Sequence, residues 1–137
     1  MHNTKLKSLD VSKNTKLKTL ICSNTKISKL NIKKCTKLNY IDITNTKIKK
    51  LNVSQTLETA TIRCSMKIGS SIKVANYVGK EYVRYENESP TRLKAFKFDK
   101  KKGTLKLTKN AKKSGEYHIW FYKKKGRKNR RFYIVAK

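Results

Sequence analysis

The stretch Asn14-Thr-Lys-Leu17-Lys-Thr-Leu20-Ile-Cys22-Ser-Asn24-Thr-Lys-Ile27-Ser-Lys-Leu30-Asn-Ile32 holds the same pattern twice: an aliphatic residue, two spacers, a second aliphatic residue, one spacer and a small or branched apolar residue. The unit recurs on both sides as Leu6-Lys-Ser-Leu9-Asp-Val11, Leu38-Asn-Tyr-Ile41-Asp-Ile43, Ile48-Lys-Lys-Leu51-Asn-Val53 and Leu57-Glu-Thr-Ala60-Thr-Ile62. Unit starts are separated by 11, 10, 11, 10 and 9 residues, so two half-units make a period of 21. Thr-Lys precedes the units at Leu6, Leu17, Ile27, Leu38 and Ile48 and marks the turn that ends each half. Self-similarity at a fixed period implies a solenoid, in which each coil turns its aliphatic side chains inward and its neighbours stack them into one core.

The units resemble leucine-rich repeats, and more narrowly the bacterial surface variety whose halves read N-T-x-L-x-x-L-D-V-S and L-x-x-L-x-C-S-N. Asn14-Thr15-Lys16-Leu17 and Leu9-Asp10-Val11-Ser12 match the first form, and Leu20-Ile21-Cys22-Ser23-Asn24 matches the second. The resemblance covers residues 3–64. The ladder position that usually carries Asn holds Thr25 and Thr46 in the shorter halves and Cys35 in one longer half, which predicts a less regular hydrogen-bonded ladder. Cys22 occupies an aliphatic slot and reads as a small buried hydrophobe; Cys35 and Cys64 read as turn or ladder residues. The odd count of three leaves at least one thiol free unless it pairs between chains, and no zinc spacing is present. Fewer than three full units, a start within the pattern at Asn3 and no preceding polar cap lead to the expectation of further repeats upstream, the alternative being a naturally minimal solenoid sealed by the second domain.

Beyond Ile62 the period changes to short alternating runs at 71–75, 81–85, 92–98, 104–108, 117–122 and 131–136, punctuated by Gly79, Asn87, Pro90, Gly103, Gly115 and Gly126. Such spacing predicts a small antiparallel sandwich or barrel. The sequence Ser114-Gly115-Glu-Tyr117, set before a long apolar run, resembles the corner ahead of the penultimate strand in bacterial immunoglobulin-like domains. The expected fold is therefore mainly β: a leucine-rich-repeat solenoid over 1–65 and a small antiparallel immunoglobulin-like β-sandwich over 66–137, a layout similar to that of internalins. His118 and Trp120 alternate with Tyr117, Ile119 and Phe121, so this strand is apolar on both sides and expected to be central, with Trp120 in the core and His118 a packing or edge residue.

The chain carries 36 basic and 8 acidic residues, a formal charge of +28. Six of the basic residues are Arg and 30 are Lys. Lys is a hydrated point charge, whereas readers of bases and phosphates favour the planar Arg fork, so the charge reads as diffuse solvated surface, one that still attracts polyanions. Two histidines, scattered carboxylates, and the lack of a phosphate loop or a G-x-S-x-G elbow give no catalytic constellation. The expectation is a non-enzyme without cofactor or metal. No run of about 18 apolar residues is present to span a membrane, and Met1-His2-Asn3-Thr4 offers no apolar stretch of a signal peptide, so an exported protein is expected to have this chain as only a part of it.

Function must then lie on a binding surface. If the shorter halves supply the concave strands, their outward residues are Thr19, Ile21 and Ser23, then Tyr40, Asp42 and Thr44, then Thr59, Thr61 and Arg63, with Ile21 and Tyr40 as apolar anchors. A second candidate is the basic hairpin containing Lys123, Lys124, Lys125, Arg127, Lys128, Arg130 and Arg131, suited to gripping polyanions without a sequence code. The leading expectation is an extracellular or cell-surface adhesion module. Its partner is a protein or glycan on a host or neighbouring cell, and an anionic cell-wall polymer is a further possible partner. The rivals are a nucleic-acid or other polyanion binder, disfavoured by the Lys bias, and a structural spacer.

Overall fold

The computed structural model describes residues 5–53, 56, 57, 59–74, 82–85, 94–99, 101, 102, 104–124 and 127–137; for 73, 74, 82–85, 120–124 and 127–130 it describes the backbone alone. Twelve strands and no helix occur among them: β1 (Ser8–Asp10), β2 (Thr19–Ile21), β3 (Lys29–Asn31), β4 (Tyr40–Ile43), β5 (Lys50–Leu51), β6 (Thr61–Met66), β7 (Ser71–Val74), β8 (Tyr82–Tyr85), β9 (Phe96–Asp99), β10 (Thr104–Leu107), β11 (Glu116–Lys124) and β12 (Arg127–Ala136). Each half-unit of the repeat thus contributes one short strand. Shorter halves form one flank, where β2, β4 and β6 pair in parallel with Thr19 opposite Tyr40 and Tyr40 opposite Thr61, each step covering 21 positions. Longer halves form the other flank, where Ser8 pairs with Lys29 across the same interval.

The alternation of the units explains which side chains enter the coil. Along β4 and β6 the residues Ile41, Ile43, Ile62 and Cys64 are buried while Tyr40, Asp42, Thr61 and Arg63 are half-exposed. Ile27, Leu38, Leu51 and Val53 are buried from the turns and the opposite flank, closing one continuous core. Each fully buried Ile or Leu contributes roughly 1.5 to 3 kcal/mol of apolar burial.

The turns hold the coils in register by side-chain hydrogen bonds. Asp10, Asn31 and Asp42 each accept from the backbone N–H two residues on, at 2.9, 3.0 and 3.0 Å, which caps the strand end as an Asx turn. Asn24 and Asn45 adopt left-handed backbone (φ 58° and 54°), a conformation that Asn tolerates better than most residues. The Asn45 amide donates to the Asn24 amide oxygen at 2.8 Å, one coil to the next. Thr25, Thr46 and Thr56 instead donate within their own coil to the carbonyl three residues back, at 2.8, 2.8 and 2.7 Å. Cys35 reaches between coils, its thiol pointing at the Val11 carbonyl at 3.3 Å. The substituted ladder therefore divides its work: hydroxyls close single turns, and Cys35 and the Asn pair link neighbouring coils.

Both flanks continue beyond the repeats. The first becomes a six-stranded sheet in the order β2-β4-β6-β12-β11-β8, and the second adds a four-stranded sheet in the order β5-β7-β10-β9. β6 runs through the expected boundary at residue 65 and pairs in parallel with β12 from Arg131 opposite Thr61 to Ala136 opposite Met66. Phe132, Ile134 and Ala136 lie beside Ile62, Cys64 and Met66, all buried. The last coil is thereby covered at Ala60 and Ile62, though Leu57 keeps 40% of its surface exposed. Each of the six alternating runs overlaps a strand from β7 to β12. β11 lies between β12 and β8, as its two-sided apolar pattern requires. The Trp120 side chain lies outside the described residues.

Candidate binding face

The outward residues of the six-stranded sheet form registered rows across the junction. One row runs Thr19, Tyr40, Thr61, Arg131; the next runs Ile21, Asp42, Arg63, Tyr133, His118. Below them Ser65 pairs with Val135, and Val135 with Glu116. Adjacent members of a row stand about 4.5 to 5.5 Å apart at Cβ, close enough for their side chains to act as one surface.

Ring and charge contacts organise the right half of this face. The His118 ring stands edge-on to Tyr133, with centroids 4.2 Å apart and planes at 75°. The Arg131 guanidinium lies 5.3 Å from the Tyr133 ring centre and donates to the Tyr133 hydroxyl. Glu116 gathers two neighbours at one oxygen: Arg63 Nη2 and His118 Nε2 are each 3.8 Å from its Oε1. Both carboxylate and guanidinium stay half-exposed, so the Arg63–Glu116 pair orients these groups more than it stabilises the fold. The Nε of Arg63 is buried against the sheet and has no hydrogen-bond acceptor among the described residues.

The left half is smoother. Ile21, the last residue of β2, is 53% exposed, a large apolar side chain left in solvent. Tyr40 is half-exposed and Thr19 exposed beside it. Asp42 is tied into its own turn through Oδ1, which accepts from the Thr44 N–H at 3.0 Å and from the Thr44 hydroxyl at 2.7 Å. Ser23 is half-exposed at the strand end and Thr59 exposed in a turn; both flank the rows rather than belong to them.

Of the sequence-selected residues, Thr19, Ile21, Tyr40, Asp42, Thr61 and Arg63 thus share one surface. Glu116, His118 and Tyr133 were not selected, yet they complete it. Their alternation with buried Tyr117, Ile119, Phe132 and Ile134 marks them as outward-facing, but only the β6–β12 pairing brings them beside Arg63. The basic hairpin is formed by β11 and β12, with Lys124 opposite Arg127 and Tyr122 opposite Lys128. Lys125, Gly126 and the side chains of Lys123, Lys124, Arg127, Lys128 and Arg130 lie outside the described residues. Arg131 belongs to the sheet face beside Tyr133.

The three cysteines are free and buried. Burial, with the Asp42 carboxylate a lesser cause, pushes the Cys64 thiol up to about 12 and raises Cys22 as well. Burial and then Asp10 raise Cys35. Cys64 is a core residue of β6 rather than a turn or ladder residue. Thiols held in the protonated form are poor nucleophiles and poor metal ligands. Among the described residues no group of three or more His, Cys, Asp or Glu side chains is placed to hold a metal ion, and no helix is long and apolar enough to cross a membrane.

Two solved structures from Listeria monocytogenes are similar to this chain. The functional domain of InlJ, which includes a cysteine ladder, is 17% identical over 97% of this chain and 37% of that one, with a TM-score of 0.38. An internalin-like protein is 11% identical over 90% of this chain and 51% of that one, with a TM-score of 0.31. The chain therefore spans about a third to a half of the proteins it matches. No family model and no curated protein matches the sequence.

Proposed function

We propose that the chain is a leucine-rich-repeat solenoid of 21-residue period closed by an immunoglobulin-like sandwich, and that it serves as a non-catalytic recognition module on a cell surface. The binding site is the outward face of the six-stranded sheet, and its ligand is a protein or a glycan on another cell. The observation that carries this reading is the solvent-facing row of exposed Ile21 and half-exposed Asp42, Arg63, Tyr133 and His118, with Tyr40 and Arg131 beside it. Tyr and Arg on a rigid strand surface lose little entropy on binding and are the residue types enriched at interface hot spots. The Ser114-Gly115-Glu-Tyr117 corner, whose tyrosine hydroxyl bonds back to the Lys112 N–H, supports the immunoglobulin-like reading of the second half.

Binding of the labelled full chain to intact mammalian and bacterial cells, measured by flow cytometry at physiological salt, tests the proposal. A Tyr40→Ala/Arg63→Ala/Tyr133→Ala variant is expected to lose at least tenfold in cell binding while keeping its fold. Pretreating the cells with protease or with glycosidases separates a protein ligand from a glycan. Binding unchanged in the variant would remove the face from consideration, and no binding to any cell would favour a structural spacer.

A further inference from the structure

The lysines of the coils are sorted by position. Residues 5–53 contain 13 Lys and two Asp; the outward positions of β2, β4 and β6 contain no Lys, and Lys13, Lys16, Lys18, Lys33, Lys34 and Lys37 lie in the connections that lead into β2 and β4. On the opposite flank, the segments leading into β1, β3 and β5 carry Lys5, Lys7, Lys26, Lys29, Lys47, Lys49 and Lys50, every one exposed. The repeat sets these residues in columns. Ser28 N donates to Lys7 O and Lys47 N to Ile27 O, each at 2.8 Å, which brings the segment of Lys47, Lys49 and Lys50 beside that of Lys26 and Lys29, with Lys26 and Lys47, and Lys29 and Lys50, 21 positions apart in the sequence. Among the described residues none of the seven makes an ion pair. Lys29, Lys47, Lys49 and Lys50, with Ser28 and Leu30, line an open groove, and Lys26 and Lys47 meet Lys137 in a neighbouring depression.

We propose that this lysine-columned flank is a binding surface for a linear, flexible polyol-phosphate chain, laid along the solenoid axis with its phosphates between the ammonium columns. Stacked like charges repel one another, and an external row of anions at a similar spacing removes that repulsion and releases counterions. The composition of the flank selects the class of polymer. It contains no Arg fork for planar two-point contacts and no aromatic ring on which bases or sugars stack, features that nucleic-acid and glycan surfaces use. Three coils span roughly 10 Å, short for a rigid duplex but matched to a few units of a flexible chain. The surface lies on the flank away from the aromatic face, so either site can fail without the other.

The test compares two variants that each remove four positive charges: Lys26→Gln/Lys29→Gln/Lys47→Gln/Lys50→Gln on the flank, and Lys124→Gln/Lys125→Gln/Arg127→Gln/Lys128→Gln at the hairpin. Affinity for poly(glycerol phosphate), an oligothymidine of matched charge, duplex DNA and a sulfated glycan is measured over a salt series. The flank variant is expected to bind poly(glycerol phosphate) at least tenfold more weakly, with its salt slope smaller by about 3, taking roughly 0.7 per phosphate for a single chain. The hairpin variant should change affinity less than threefold. Thermal melting of the flank variant at or above the wild-type temperature shows that the loss is not unfolding, and its retained cell binding separates this site from the aromatic face. Equal losses in the two variants would overturn the proposal in favour of diffuse charge, and tighter binding of the oligothymidine, the duplex or the sulfated glycan would overturn it in favour of that ligand.

Discussion

The backbone N–H of Lys112 donates to the Tyr117 hydroxyl at 2.8 Å, spanning the turn that launches β11. Inside that turn Ser114 is left-handed (φ 63°) and Gly115 N donates to Lys112 O at 2.9 Å. A Cβ on Gly115 would stand 2.8 Å from Lys112 O and 3.0 Å from the Tyr117 ring, so the corner admits no side chain there. The Tyr117 ring also packs edge-on to Phe96, 5.2 Å between centroids, tying β11 to the four-stranded sheet. Tyr117→Phe keeps the packing and removes the acceptor, at an expected cost of about 1 to 2 kcal/mol. Gly115→Ala should cost at least as much, because the obstacle is backbone. Thermal or urea melting checks both, and a neutral Gly115→Ala would show that the corner is looser than its geometry.

Asn45 combines a left-handed backbone with a 2.8 Å amide bond to Asn24 in the neighbouring coil. Asn45→Ala loses both and is expected to destabilise by about 1 to 2 kcal/mol, whereas Asn45→Gly recovers the backbone freedom and loses less. Urea unfolding of both variants, with the Asn24→Ala/Asn45→Ala double variant, measures the coupling. Additive losses would mean that the inter-coil bond contributes nothing.

The repeat was legible from its spacing: the interval of 21 read between Leu17 and Leu38 is also the interval between Thr19 and Tyr40 where β2 and β4 pair, although burial at equivalent positions varies, from half-buried Leu17 to fully buried Leu38. The outward residues of β2, β4 and β6 followed from the same alternation. What the sequence does not carry is long-range pairing. Nothing local in Arg131-Phe-Tyr-Ile-Val-Ala136 says that it lies parallel to β6, and that register alone brings Tyr133 to Arg63. The sorting of lysines was hidden for a related reason. A linear count of charge is blind to stacking, and the columns emerge only when residues 21 apart are placed one above another.

Cys64 is fully enclosed and its thiol is held up to about 12, well above the usual thiol range. The unfolded chain ionises this thiol near 8.5 while the folded chain keeps the proton, so the unfolded state binds fewer protons between these values. Stability from this group is complete below about pH 8.5 and falls as pH rises toward 12, by about 1.4 kcal/mol per unit. Urea unfolding between pH 8 and pH 11 should show a shallower decline for Cys64→Val than for the wild type. Native protein at pH 8 should label with a thiol reagent far more slowly than urea-denatured protein, which should yield three thiols. Rapid native labelling of all three would contradict their burial.

The β6–β12 pairing also fixes how the molecule unfolds. Phe132 is wholly buried beside Ile62, and the Arg131 N–H donates to Ala60 O at 3.0 Å, so the last coil and the last strand complete each other's packing. Separating them uncovers Ala60, Ile62, Cys64, Phe132 and Ile134 together and breaks the parallel ladder from Thr61 to Met66. Neither half then retains a closed core, and the two should unfold in one step. The chain supplies a probe for each half: its single Trp, Trp120 in β11, reports on the second, and exposure of Cys22 and Cys35 reports on the coils. Urea transitions followed by fluorescence and by thiol labelling are expected to coincide. Phe132→Ala leaves a cavity at the junction and should lower both transitions together, by about 3 to 5 kcal/mol. If the thiols of the coils stay protected after the Trp120 transition is complete, or if Phe132→Ala shifts only the fluorescence, the two halves are independent and the junction is a docking contact rather than a shared core.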